Sequence, residues 1–189
     1  MNTKEYCTAA NDDIAVKPSR LGISSTVCVD GQAFTLNYAY QARRLSIGFA
    51  AERIILETVP KGFDPEMVGA EPLNRFLPME LQPYLSQRIL LYVSARRSTG
   101  GNGGGFCGAG AEVYLNSLDI GHQRVKLVSR ILVASCLESI ELDSGDKAPV
   151  FGAMSVVDGR LKMNFLAYKD KPGLASAFLS ENFRQLEFR

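Results

Sequence analysis

The stretch STVCVDGQAFTLNYAY, residues 25–40, decides the fold class because it predicts a β-hairpin. β-Branched residues precede Asp30-Gly31, and apolar and polar residues alternate after it. Asp-Gly between two such runs favours a type I′ turn, since both central residues of that turn need a positive φ. The same arrangement surrounds Asp158-Gly159 later in the chain. Two hairpins of this kind predict antiparallel sheets.

Short apolar runs predict three further strands, at residues 53–59, 87–95 and 112–120. Residues 125–142 fit a strand and a helix equally well. The stretch that begins at Pro172 predicts a helix, because its apolar residues recur at i, i+3 and i+4. We therefore predict an α+β fold, mainly antiparallel β, with six to eight short strands and one or two helices. An all-β sandwich is the alternative.

The length of 189 residues predicts a single globular domain that spans the whole chain, residues 1–189. Residues 1–20 are polar and predict an irregular N-terminal arm. Five prolines lie in residues 60–85 and predict a surface excursion with short helical turns near 73–76 and 79–81. Residues 96–111 predict a glycine-rich loop. The hydrophobic content of 46% argues against a disordered chain.

The charge and the residue types exclude several classes of protein. A net charge of +1 provides no overall field for nucleic acid, so we expect no nucleic-acid partner. No apolar run reaches the roughly 18 residues of a membrane-spanning helix. His122 is the single histidine, and no two cysteines have the C-x-x-C spacing of a metal or redox site. We predict no metal and no cofactor.

The four cysteines predict disulfides, because their number is even and no other cysteine chemistry fits their spacing. The pairs Cys7–Cys28 and Cys107–Cys136 are favoured since both close local loops, each worth about 3–4 kcal/mol in the chain-entropy model. Four buried free thiols are the alternative. Disulfides predict a periplasmic or secreted protein whose signal peptide is absent from this sequence. A cytoplasmic protein is the alternative.

The segment SARRSTGGNGGGFCGAGAE, residues 94–112, holds seven of the 17 glycines and has three interpretations. The first is nucleotide binding, because Gly103-x-Gly105-x-x-Gly108 matches the dinucleotide fingerprint, but a strand rather than a helix is predicted to follow. The second is nucleophilic catalysis by Cys107. His122 would act as the base and Asp119 would orient it. A disulfide at Cys107 would exclude this chemistry.

The third interpretation is recognition of another protein, and it is the one that we favour. The candidate binding residues lie in and beside the glycine-rich loop: Arg96, Arg97, Asn102, Phe106 and Glu112. The sequence therefore predicts a non-enzymatic, secreted or periplasmic protein-binding domain, such as an inhibitor or an immunity protein. The alternatives are a cysteine-dependent hydrolase or transferase that uses Cys107 and His122, and a structural subunit of an envelope assembly.

Overall fold

The computed structural model describes residues 7, 15–19, 22–49, 52–58, 73–97, 111–121, 124–144, 150–169 and 171–189. These residues form strands β1 to β14 in three antiparallel sheets, and three-residue 3-10 turns lie at Met79–Leu81, Leu85–Gln87 and Phe151–Ala153. The fold is all-β. The predicted α+β class is therefore wrong, and the all-β alternative names the right class.

The first sheet is a meander of five strands, each paired with the next along the chain: β1 (Ala15–Ser19), β2 (Gly22–Val29), β3 (Gln32–Ala39), β4 (Arg44–Phe49) and β5 (Glu52–Thr58). The predicted hairpin is present as β2 and β3. Its turn residues Asp30 and Gly31 have φ of 50° and 72°, and Asp158 and Gly159 repeat these values in the later hairpin. Both turns therefore have the positive φ pair that a type I′ turn needs.

The other two sheets follow in chain order. The second sheet contains β6 (Arg75–Phe76), β7 (Ile89–Arg97), β8 (Ala111–Asp119) and β9 (Lys126–Ala134), in that order across the sheet. The third sheet contains β10 (Ile140–Leu142), β12 (Arg160–Tyr168), β13 (Lys171–Leu179) and β14 (Leu186–Phe188), and β11 (Met154–Val157) also pairs with β12. The ambiguous residues 125–142 thus form strands.

The helix predicted after Pro172 is wrong, because β13 occupies that stretch. A helix would bring Leu174 and Ala177 onto one face, but Leu174 is 79% exposed and Ala177 is fully buried. Pairing with β12 places alternate residues inside, and this tertiary context outweighs the local spacing. The helical turn predicted at 73–76 is also wrong, since β6 lies there. The turn at 79–81 is present as the 3-10 turn Met79–Leu81.

The second sheet lies between the other two and is buried on both faces. One face packs against the first sheet through Leu90, Tyr92 and Leu118. The opposite face packs against the third sheet through Leu91 and Leu115, among others. This explains why β7 is continuously apolar over residues 89–93, since adjacent residues enter different cores. Each such buried side chain contributes about 1.5–3 kcal/mol.

The free edge of β7 is covered by the chain that precedes it. The buried side chain of Gln82 pairs with Leu91 as a neighbouring strand would: its Nε2 donates to the Leu91 carbonyl (2.8 Å), and its Oε1 accepts from the Leu91 amide (2.8 Å). Nε2 also donates to the carbonyl of Leu77 at 2.9 Å. Farther along the edge, Asn74 Oδ1 accepts from the Ala95 amide at 3.1 Å. Side-chain amides therefore complete the pairing where β6 ends.

Replacing Gln82 by leucine is expected to lower the free energy of unfolding by about 3 kcal/mol, because it leaves buried backbone groups of Leu77 and Leu91 without partners. Urea denaturation followed by circular dichroism measures this loss. Gln87→Leu is the matched control, since Gln87 is exposed at the end of a 3-10 turn. Equal stabilities of the two variants would contradict the role assigned to Gln82.

Candidate functional site

Two of the predicted binding residues come together at the end of the second sheet. Arg96 on β7 lies directly opposite Glu112 on β8, and Arg96 Nε lies 3.1 Å from Glu112 Oε2. The next pair, Arg97 with Ala111, closes the ladder, and residues 98–110 join the two strands. Other predicted site residues lie outside the described part of the chain: Asn102, Phe106, Cys107 and His122.

Tyr114 extends this pair and was not predicted as a site residue. Its ring lies between two guanidinium groups, with the Arg96 Cζ 4.8 Å and the Arg130 Cζ 4.2 Å from its centroid. Its hydroxyl donates to Glu112 Oε2 at 2.8 Å and accepts from Arg96 Nη2. Cation–π contact and hydrogen bonds thus hold the arginine side chains around one ring.

Arg130 and Glu57 connect this arrangement to the first sheet. Arg130 on β9 forms an ion pair with Glu57 on β5, across 73 positions of sequence. The Arg130 Nε is buried and has no hydrogen-bond partner among the described residues. We call the five residues Arg96, Glu112, Tyr114, Arg130 and Glu57 the Tyr114 cluster. Glu112 and Tyr114 share one face of β8 by alternation, but no local signal in the sequence points to Glu57 or Arg130.

The arginines of the Tyr114 cluster are more exposed than its carboxylates. The side chains of Arg96 and Arg130 are 40% and 27% exposed, against 13% and 14% for Glu112 and Glu57. The carboxylates therefore lie beneath the guanidinium groups. The guanidinium groups are therefore the part of the cluster that faces the outside, whereas Tyr114 is buried with the carboxylates.

Tyr114 and Arg96 both have raised pKa values. Burial raises the pKa of Tyr114, and the hydrogen bond to Glu112 raises it further, although Arg96 opposes both. Burial alone would lower the pKa of Arg96, but Tyr114 and Glu112 outweigh it and the net shift is upward. The phenol therefore stays neutral and Arg96 stays charged near pH 7, where a general base would need to exchange its proton.

Asp119, the third member of the alternative catalytic set, has a local structural contact. Its Oδ1 accepts a hydrogen bond from the amide of Gly121 at 2.9 Å, which stabilises the turn that follows β8. With Cys107 and His122 outside the described residues, the proposed catalytic set stays a prediction.

The predicted disulfide between Cys7 and Cys28 is present, with the two Cα atoms 5.7 Å apart. Cys136 is also disulfide-bonded, in the turn after β9. Its predicted pairing with Cys107 stays a prediction, since Cys107 is not among the described residues. Within the described part of the chain no cysteine is free.

The described residues contain neither a candidate metal centre nor a helix that could span a membrane. Histidine, cysteine, aspartate and glutamate side chains nowhere form a group of three or more that could hold a metal ion, as far as the described residues go. The same part of the chain contains no helix that is long and apolar enough to cross a membrane.

The Arg130–Glu57 pair is expected to show a coupling energy of about 1–2 kcal/mol in a double-mutant cycle with Arg130→Gln and Glu57→Gln, because both side chains are largely buried. Urea denaturation of the four proteins measures it. The control is the Lys169–Glu138 pair, whose side chains are 50% and 49% exposed. Its coupling should be about 0.5 kcal/mol or less. Equal couplings for the two pairs would refute the structural role given to Arg130.

No family model, no curated protein and no solved structure matches this chain.

Proposed function

We propose that this chain is a non-enzymatic domain that binds another protein in an oxidising compartment, as an inhibitor or an immunity protein does. The observation that carries the proposal is the position of the Tyr114 cluster. It lies at the end of a strand pair, β7 and β8, that is buried on both faces, beside the point where the glycine-rich residues 98–110 join the two strands.

The strand pair is a rigid support for recognition. β7 is hydrogen-bonded to β8 along one edge and to β6, Gln82 and Asn74 along the other. Segments that connect such strands commonly carry binding residues, because the scaffold fixes their ends. Glycine is entropically costly to order, so seven glycines at this position support a role for the segment.

The Tyr114 cluster supplies a residue type that protein interfaces favour. Arginine is enriched at interfaces, because it combines a large contact area with hydrogen-bonding groups. Here Arg96 and Arg130 are held in fixed positions by Glu112, Glu57 and the buried ring of Tyr114. Side chains that are already ordered lose less conformational entropy when a partner binds.

The disulfides support an oxidising compartment. Structural disulfides persist in the periplasm and outside cells, whereas the cytosol keeps most thiols reduced. Cys7–Cys28 and the disulfide at Cys136 are both consistent with that environment. If Cys107 is the partner of Cys136, no thiol remains for the alternative hydrolase or transferase.

We expect protein isolated from its own cells to resist alkylation until it is reduced. Intact mass should show no added alkyl groups without reductant and four with it, because all four cysteines are then bonded. Peptide mapping of Cys7 and Cys28 provides the internal control for a bond that the structure contains. Rapid alkylation of Cys107 near neutral pH would instead favour the thiol enzyme and a reducing compartment.

A photo-crosslinking amino acid placed at Ala111 in the producing cells should capture one discrete partner protein, because Ala111 lies at the end of β8 next to the Tyr114 cluster. The same amino acid at Asp158 is the matched control, since this exposed turn residue belongs to the third sheet. Identical products from both positions, or none from Ala111, would contradict the proposed binding surface.

A further inference from the structure

We infer that the Tyr114 cluster receives carboxylate side chains of an acidic segment on the partner, through the guanidinium groups of Arg96 and Arg130. This inference depends on the proposed binding function and adds the chemistry of the partner.

The orientation of the arginines is set before any ligand arrives. Arg96 is held through its Nε by Glu112 and through its Nη2 by the hydroxyl of Tyr114. Arg130 is held by Glu57 and by its contact with the face of the same ring. Two planar guanidinium groups therefore flank one aromatic ring in a defined geometry, and planar, fixed guanidinium groups suit bidentate binding of carboxylates.

Both arginines keep hydrogen-bond donors for a ligand. A guanidinium carries five N–H groups, and the described bonds of Arg96 use its Nε and Nη2. The described bond of Arg130 uses its Nη2, and its Nε is buried out of reach of a ligand at the surface, so Arg130 would bind through its remaining terminal N–H groups. The arginines are more exposed than Glu112 and Glu57 and therefore face the ligand.

The proposed function sets the kind of ligand. The cluster contains two arginines and two glutamates, so its formal charges cancel. A ligand is therefore held by hydrogen bonds to the exposed guanidinium groups rather than by net charge, and a planar carboxylate matches the guanidinium fork. Because the proposed partner is a protein, an acidic segment of that partner is the expected ligand.

The test uses the full chain, a ten-residue polyglutamate peptide and nuclear magnetic resonance of the arginine Nε–Hε groups. Polyglutamate is expected to shift the signals of Arg96 and Arg130 saturably and to leave the signal of Arg124 unchanged. Arg124 is the control because it is exposed beyond the end of β8. Inorganic phosphate at the same charge concentration is expected to bind more weakly, and polylysine is expected not to bind.

Three variants assign the binding to the Tyr114 cluster. Arg96→Gln should weaken polyglutamate binding about tenfold, because it removes a charge-assisted bond, whereas Arg124→Gln should change it less than about twofold. Arg130→Lys keeps a cation for Glu57 and should fold, yet it should also weaken binding because lysine lacks the planar fork. Methyl spectra of each variant check that the fold is intact.

Three outcomes would overturn the inference: equal weakening by Arg96→Gln and Arg124→Gln, phosphate binding as tight as polyglutamate binding, or no shift at Arg96 and Arg130. These outcomes are separate from the test of the proposed function. If Ala111 crosslinks to a partner but the arginine signals do not shift, the proposed binding function is supported and only the proposal of an acidic ligand is refuted. If polyglutamate binds saturably but Ala111 crosslinks to no partner, the proposed protein-binding surface is refuted and the carboxylate site is supported.

Discussion

The structure depends on the complete hydrogen bonding of β7, the strand at its centre. Both faces of this strand are buried, so an unpaired amide or carbonyl along it could not be satisfied by water. β8 satisfies one edge. On the other edge the short β6 covers two residues, and Gln82 and Asn74 supply side-chain amides beyond its ends. The irregular chain before β7 is thus needed to satisfy the hydrogen bonds of the central strand, in addition to connecting the first sheet to the second.

The elements that depend on local chemistry could be predicted from the sequence. The Asp30-Gly31 and Asp158-Gly159 hairpins are set by turn residues that accept positive φ, and that preference acts over four residues. The stretch after Pro172 could not be assigned in this way. Its spacing suits a helix as well as a strand, and pairing with β12, which is a tertiary contact, decides between them.

The candidate site likewise contains residues that a local hairpin positions and residues that only tertiary contacts position. Arg96 and Glu112 lie near the two ends of one glycine-rich segment, so a hairpin alone places them opposite each other. Glu57 and Arg130 belong to different sheets, and their meeting requires the first sheet to stack on the second in one register. A single sequence contains no direct signal for that stacking. The arrangement of exposed arginines over buried carboxylates therefore forms only when the first and second sheets stack, and it could not be predicted from the sequence.

The order of the three sheets in space is also their order along the chain. The first sheet ends at Thr58, the second occupies residues 75–134, and the third begins at Ile140. Most strands pair with their sequence neighbours, so most pairings close short loops, which favours fast formation of each sheet. A chain that emerges amino-terminus first can complete each layer before the next appears. The folding chain is most prone to aggregate after the second sheet has formed and before the third sheet covers it. During that interval the apolar outer face of the second sheet is exposed to solvent.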